Sequence, residues 1–247
     1  MGILPVLAVI PARGGSKGLP GKNIVEFAGL PLIAHSIGLA KMCPEISECI
    51  ISTDSEEIAS IARAHGGEVP FLRPRELARD ETPTWPVLQH ALTTVEALRK
   101  KEFGSVLLLQ PTNPSRLPED VTRAIEILGA SDRAMGVVSV SEPPFSPRWV
   151  CVEERDGYLA SAFSEEMFNR RQDVPTVYRI NGLLYLWRRE HILHSQSGPW
   201  SAPHKMMIVP ERRVLDIDTP HDLAVAEALV QEGIIKLPWL IASDCNS

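Results

Sequence analysis

The sequence predicts an α/β fold, a mostly parallel sheet with helices on both faces. Three observations carry this. Short, near-continuous apolar runs recur along the chain, as strands buried on both faces require. Longer amphipathic stretches with helix start and stop residues separate them, which is the alternation of crossover helices. Hydrophobic residues make up 44% of the 247 and charged residues 23%, a balance that supports a packed core and differs from that of disordered chains.

In chain order, residues 6–10 form the first expected strand, an apolar run that meets Pro11 at once. No basic segment precedes it, so it reads as a strand and not as a signal peptide. Residues 49–52 follow as a second strand. Ser55 then caps a helix with Glu56 and Glu57 in its first turn, Ile58, Ile61 and Ala62 on one face, and Gly66 beyond its end. Residues 86–101 read as a helix before the strand 106–109, and 118–128 as a helix before the strand 135–140. Strands are expected at 183–187, 206–209 and 214–217, after which Thr219, Pro220 and Asp222 open a last helix that stops at Gly233. Between Pro143 and Tyr178 the rhythm fails. Proline turns, charge pairs and isolated aromatics replace any helical period there, so 143–178 reads as an excursion with a functional or interfacial role, inserted in a single domain of residues 1–247.

Composition excludes several classes of partner. With 25 Lys+Arg against 31 Asp+Glu, a net charge of −6, no nucleic-acid partner is expected, since that would call for a basic face. No apolar run approaches the ~18 residues of a membrane span, so no membrane partner is expected either. Cys43, Cys49, Cys151 and Cys245 show no paired spacing, which points to a reducing, cytoplasmic setting without a disulfide framework or zinc site.

The charge is unevenly spread. Arg13, Lys17 and Lys22 are the only charged residues among the first 25, and they stand in Pro11-Ala-Arg-Gly-Gly-Ser-Lys-Gly-Leu-Pro-Gly-Lys-Asn23, directly after the first strand. Glycines at 14, 15, 18 and 21 let backbone approach a ligand while the cations attract phosphate, as holding a triphosphate requires. The run departs from the P-loop and dinucleotide templates in its glycine spacing. A second candidate is Asp216-Ile-Asp218 on the last expected strand. Residues two apart project to one side with backbones about 6.7 Å apart, so two carboxylates can close on one hard cation such as Mg²⁺. The competing role for Asp218 is capping the next helix. A third set, Thr53, Asp54, Gln110, Thr112 and Asn113, lies at expected strand ends, where open parallel sheets bind ligands. Of the seven histidines, His191 and His194 share one expected helix face without a third ligand nearby and the other five are dispersed, so they suit packing or surface roles, and no nucleophile–histidine pair with motif context is present.

On these residues the chain resembles the acylneuraminate cytidylyltransferases, the CMP-sialic acid synthetases. The loop from Ile10 to Asn23 looks like their N-terminal signature. In the same order follow Ser52-Thr-Asp-Ser55, Phe71-Leu-Arg-Pro-Arg-Glu-Leu-Ala78 with Asp80, Leu109-Gln-Pro-Thr-Asn-Pro114, Arg171-Gln-Asp-Val-Pro175, Arg179-Ile-Asn-Gly182 and Asp216-Ile-Asp218. The resemblance implies a Rossmann-like sheet of the nucleotidyltransferase type. It implies transfer of CMP from CTP to the anomeric hydroxyl of a nonulosonic acid, releasing pyrophosphate. It assigns Arg13, Lys22, Asp216 and Asp218 to catalysis, with both aspartates on Mg²⁺. Ala12, Gly14, Gly15, Ser16, Asn23, Arg73 and Thr84 would bind the nucleotide, and Gln110, Arg148, Arg171 and Arg179 the sugar acid. The excursion would be the arm that pairs two subunits of a homodimer.

One departure stands out. Sialic-acid enzymes of the family usually carry a lysine near the start of the arm, whereas Pro144-Phe-Ser-Pro-Arg-Trp149 offers Arg148, which can grip a carboxylate with two bonds. N-acetylneuraminate, legionaminate and pseudaminate stay open as acceptors. Two other readings of the residues are a non-catalytic nucleotide or sugar sensor on the same fold and a nucleotidyltransferase with another base or sugar.

Overall fold

The structure is a computed structural model describing residues 2–15, 18–163, 168 and 170–240. Ser16, assigned above to the nucleotide, lies outside the described residues, as do Lys17, Cys245 and the side chain of Arg171.

The elements begin with β1 (Val6–Pro11), the short strands β2 (Glu26–Phe27) and β3 (Leu30–Pro31), α1 (Leu32–Lys41), β4 (Ile46–Ser52) and α2 (Glu56–Ala64). Next come α3 (Thr84–Arg99), β5 (Ser105–Leu108), α4 (Pro118–Gly129), β6 (Gly136–Ser141), α5 (Pro147–Val150), β7 (Val152–Arg155) and β8 (Tyr158–Ser161). The chain continues through β9 (Arg179–Arg188), α6 (Arg189–His194), β10 (His204–Ile208) and α7 (Pro220–Gln231).

Six strands form one sheet in the order β10-β6-β9-β5-β1-β4. All are parallel except β9, which runs antiparallel to both neighbours. The two-residue period of β1 splits its apolar run between two cores. Val6, Ala8 and Ile10 pack in the layer that holds Leu32, Ile33 and Ile37 of α1. Leu7 and Val9 face the layer that holds Leu88, Leu92 and Val95 of α3. A strand buried on both faces has to be apolar at every position, which is why alternation is absent from its sequence.

The topology fixes where a ligand binds. From β1 the chain crosses by α1 to β4 on one side and later returns by α3 to β5 on the other, so the strand order reverses between β1 and β5. A crevice at such a switch point, outside the carboxyl ends of the strands, is the usual ligand site of open α/β sheets. The antiparallel β9 starts at that same end, and β6 stops there. The excursion therefore leaves and re-enters the sheet beside the crevice. Between these points it forms α5 and the antiparallel hairpin β7/β8.

One expected strand is corrected. Residues 214–217 do not pair in the sheet; they form an extended segment outside it, with Leu215 and Ile217 buried and Asp216 and Asp218 exposed. The period of two was legible, but the backbone bonds go to a loop: Ile217 N–H donates to Thr112 O at 2.8 Å and Leu215 N–H to Ser115 Oγ at 3.1 Å. The described cysteines carry free thiols. Among the described residues no helix is long and apolar enough to cross a membrane.

Candidate active site

Two cavities adjoin at the switch point. One of about 180 Å³ is lined by Pro11, Arg13, Asn23, Arg73 and Thr84 among others. The second, of about 330 Å³, is lined by Asp216, Asp218, Arg179, Asn181, Gly182 and Tyr185. Lys22, Gln110 and Thr112 line both. The charged lining of the first cavity is cationic, whereas the second holds Asp216 and Asp218 beside Arg179, whose charge Glu211 balances, so its wall is acidic on balance, with Lys22 at the boundary.

The cationic wall is built by the loop after β1. Asn23 is buried and donates from Nδ2 to Arg13 O at 3.0 Å, closing the loop on itself. Gly21 turns at φ 64° into the short 3-10 turn that carries Lys22. A Cβ on Gly18 would stand 2.8 Å from Asp218 O, so only glycine lets the loop close on the aspartate segment. Arg13 pairs with Asp80. Arg73 is buried and donates to Ser52 O, to Ser52 Oγ at 3.1 Å and to Leu77 O at 3.4 Å, and burial pulls its guanidinium down to about 10. That lowering reflects desolvation of the cation.

The acidic wall hangs from the loop after β5. Asn113 is buried and donates to Asp216 Oδ1 at 3.1 Å, while Lys22 Nζ donates to Asp218 Oδ1 at 2.5 Å. Although Asp216 is exposed as a residue, desolvation of its carboxyl among the neighbouring groups, and then the charge of Asp218, raises that carboxyl above its ordinary value; hydrogen bonds from Thr112 and Asn113 and the charge of Lys22 oppose the rise. Asp218 is not the cap of α7. Thr219 serves there, in a capping box with Asp222, whose Oδ2 accepts from Thr219 N–H at 2.8 Å. The Asp218 side chain is left to the site.

Most of the expected residues converge here: Arg13, Gly15, Lys22, Asn23, Arg73, Thr84 and Gln110 line the first cavity, and Asp216, Asp218 and Arg179 the second. Others do not. Ala12 is buried in the core with its N–H on Ser52 O. The Gly14 N–H donates to Asp54 Oδ1 at 3.0 Å, so it shapes the loop. Arg148 is exposed on α5 and lines neither cavity. Arg179 lines the acidic cavity but commits its fork to Glu211 at 2.5 to 3.1 Å. Residue-by-residue reading did not single out Asn181 and Tyr185, which line the second cavity. Asn181 was within reach, since it precedes Gly182 in a recognised motif, and Gly182 adopts φ 76°.

A phosphate-suited glycine loop at a sheet switch point, facing a pair of carboxylates across one lysine, defines a nucleotidyltransferase. The chain belongs to the cytidylyltransferase family, whose model matches residues 7–235. It is 38% identical to the CMP-N,N'-diacetyllegionaminic acid synthase of Legionella pneumophila, over 92% of this chain and 96% of that protein. It is 30% identical to the pseudaminic acid cytidylyltransferase of Campylobacter jejuni, over 90% of this chain and 95% of that one. With the N-acylneuraminate cytidylyltransferase of Escherichia coli it shares 31% identity over 92% of its own length and 52% of the relative's. Among solved structures it resembles CMP:2-keto-3-deoxy-manno-octonic acid synthetase with a TM-score of 0.70 at 20% identity, covering 92% of this chain and 99% of that chain. The chain is therefore an enzyme of the cytidylyl-transfer type with the nucleotidyltransferase fold.

Proposed function

We propose that this enzyme transfers CMP from CTP to the anomeric hydroxyl of a nonulosonic acid. The observation that carries the reading is the meeting of a cationic and an acidic cavity at Lys22, Gln110 and Thr112. Two substrates in adjoining cavities meet at a shared wall, and in-line displacement needs placed charge more than a covalent intermediate. The reading puts the nucleotide in the first cavity, against Arg13, Gly15, Asn23, Arg73 and Thr84, and the acid in the second. There the acid's hydroxyl oxygen bonds to the α-phosphorus, the bond to pyrophosphate breaks and the hydroxyl proton is released. Lys22 steadies charge at the reacting phosphate. The relatives named for legionaminic, pseudaminic and N-acylneuraminic acids support the acceptor class.

Magnesium fits this site. Two carboxylates project from one side of an extended segment, Asp216 is held by Asn113, and the charge of Asp218 already burdens it. Among the described residues no group of three or more acidic, histidine or cysteine ligands occurs. Two carboxylates are what Mg²⁺ uses when phosphates and water supply the rest. When bound there, the ion neutralises charge on the phosphates.

The reading includes a homodimer, with the excursion covered by a second copy, Arg148 and the segment around Arg171 bordering the partner's site. The apolar residues exposed on that excursion, Phe145, Val152 and Leu159 among them, support it.

Incubation with CTP, Mg²⁺ and a panel of N-acetylneuraminate, legionaminate and pseudaminate tests the reading through pyrophosphate release. At least one acid is expected to give release; none with any acid overturns it. Binding without turnover would favour a sensor, and thermal-shift competition won by GTP or UTP would overturn the cytosine assignment.

A further inference from the structure

Among the described residues Arg116 is the largest fully buried side chain, 1% exposed. Its hydrogen bonds go to neutral oxygens: Nη1 donates to Leu183 O at 3.0 Å, and Nη2 to Gln110 O and Ser36 Oγ, both at 2.7 Å. The nearby carboxylate of Asp120 is engaged by Arg213 and by Leu117 N–H. Burial without a bonded carboxylate brings the guanidinium down to about 9. Such a cation is expensive to bury, and an apolar side chain of similar length would fill the space without that cost. A rigid planar fork is justified by what it ties together.

The three acceptors belong to different parts of the site. Gln110 ends the β5 wall common to both cavities, and Ser36 lies on α1 behind the glycine loop. Leu183 lies in a bulge of β9: pairing with β6 jumps from Tyr185 opposite Val138 to Ile180 opposite Val140, so Ser139 alone faces residues 181–184. Bulges of this kind re-aim side chains beside active sites. Here the bulge turns Asn181 and Gly182 into the acidic cavity. Ser139 helps to hold it, with Leu184 N–H donating to Ser139 Oγ at 2.7 Å and Ser139 Oγ donating to Asn181 Oδ1 at 2.6 Å.

We propose that Arg116 is a positioning residue for the acceptor: its guanidinium clamps the Gln110 carbonyl to the Leu183 carbonyl in the β9 bulge, with Ser36 as third anchor, and so sets the wall against which the sugar acid lies. This rests on the proposed function for the identity of the acceptor. The nucleotide wall made by Arg13, Asn23 and Arg73 receives no bond from Arg116. Gln110 borders both cavities, but the bulge residues Asn181 and Gly182 border the second alone, so the loss of the clamp acts chiefly on the acid.

The test compares wild type with Arg116→Lys, whose single ammonium cannot span three acceptors, and with Ser36→Ala, which removes one anchor and leaves the charge in place. Hydrogen exchange of the free protein reads the clamp directly. Exchange at residues 181–184 is expected to rise about tenfold in Arg116→Lys and less in Ser36→Ala, with β1 and β4 unchanged. In turnover, KM for the acid rises about tenfold while CTP affinity by calorimetry stays within about twofold. Unchanged exchange at 181–184 overturns the proposal, as does an equal loss of affinity for CTP and acid. If wild type turns over no nonulosonic acid, the functional reading falls, and the exchange measurement still decides whether the clamp exists.

Discussion

Lys22 Nζ borders both cavities and rests on Asp218. On the proposed reading Lys22 is a cation placed where charge develops in the transition state, which contributes chiefly to kcat, and Arg13 would still attract the nucleotide without it. Lys22→Ala is expected to lower kcat on the order of a hundredfold or more while calorimetry still detects CTP; near-normal turnover would remove the lysine from the chemistry. His35 tests a different property. It is buried, accepts at Nδ1 from the Trp239 indole N–H at 3.0 Å and donates from Nε2 to Phe27 O at 2.8 Å, and burial lowers its pKa from 6.5 to about 4. Between those two values the unfolded chain binds a proton that the folded chain refuses. Stability from this group is complete above the unfolded value and falls as pH drops toward the folded one, by roughly 3 kcal/mol at most. Urea titrations of wild type and His35→Gln should show the steeper acid loss in wild type; parallel curves would exclude His35 as the source. The charged site residues were legible because a glycine loop with three cations stands out in an acidic chain. Arg116 and Tyr185 were not, since each owes its place to burial or to a partner far off in sequence.

Helix ends were legible where one side chain makes the end. Ser55 accepts from Ile58 N–H at 3.4 Å and Thr219 forms a capping box, as their sequences imply. The direction of β9 was not, because its pairing with β5 and β6 depends on contacts across many tens of residues. Residues 214–217 show the same limit: alternation fixed which side each residue faces, but nothing local distinguishes a sheet partner from the loop at Thr112. Helix α1 offers a test at this scale. Gly38 lies within it, and a Cβ there would stand 2.8 Å from Trp239 Cγ and 2.9 Å from Cδ1. Alanine gains about 1 kcal/mol over glycine inside a helix. Overpacking costs about 1–3 kcal/mol, and the indole cannot swing aside without breaking its bond to His35. Gly38→Ala is therefore expected to destabilise the fold. Urea midpoints decide it, and a stabilised variant would mean that the segment carrying Trp239 yields freely.

At the scale of the whole molecule, the net charge of −6 conceals a division between the cationic wall at Arg13 and Arg73 and the carboxylates of Asp216 and Asp218, and the sheet's apolar strands conceal an apolar excursion outside it. The hairpin β7/β8 has two strands of four residues, and an isolated two-stranded hairpin is marginal in water. Tyr158 and Leu159 are neighbours that point to opposite faces, yet both are 77% exposed, so neither face packs on the rest of this chain. Exposed apolar surface of this extent marks an interaction site. A second copy fits because the excursion leaves and re-enters the sheet beside the crevice, where a covered arm would steady the acceptor wall. Sedimentation velocity is expected to show a species of twice the chain mass. Leu159→Glu should shift it toward the monomer, because a charge then has to be buried at the contact. The substitution sits on a side chain already in solvent, so the stability of the single chain should change little. Loss of dimer with the chain still folded isolates association as the cause, whereas a monomeric wild type would leave the excursion without this partner.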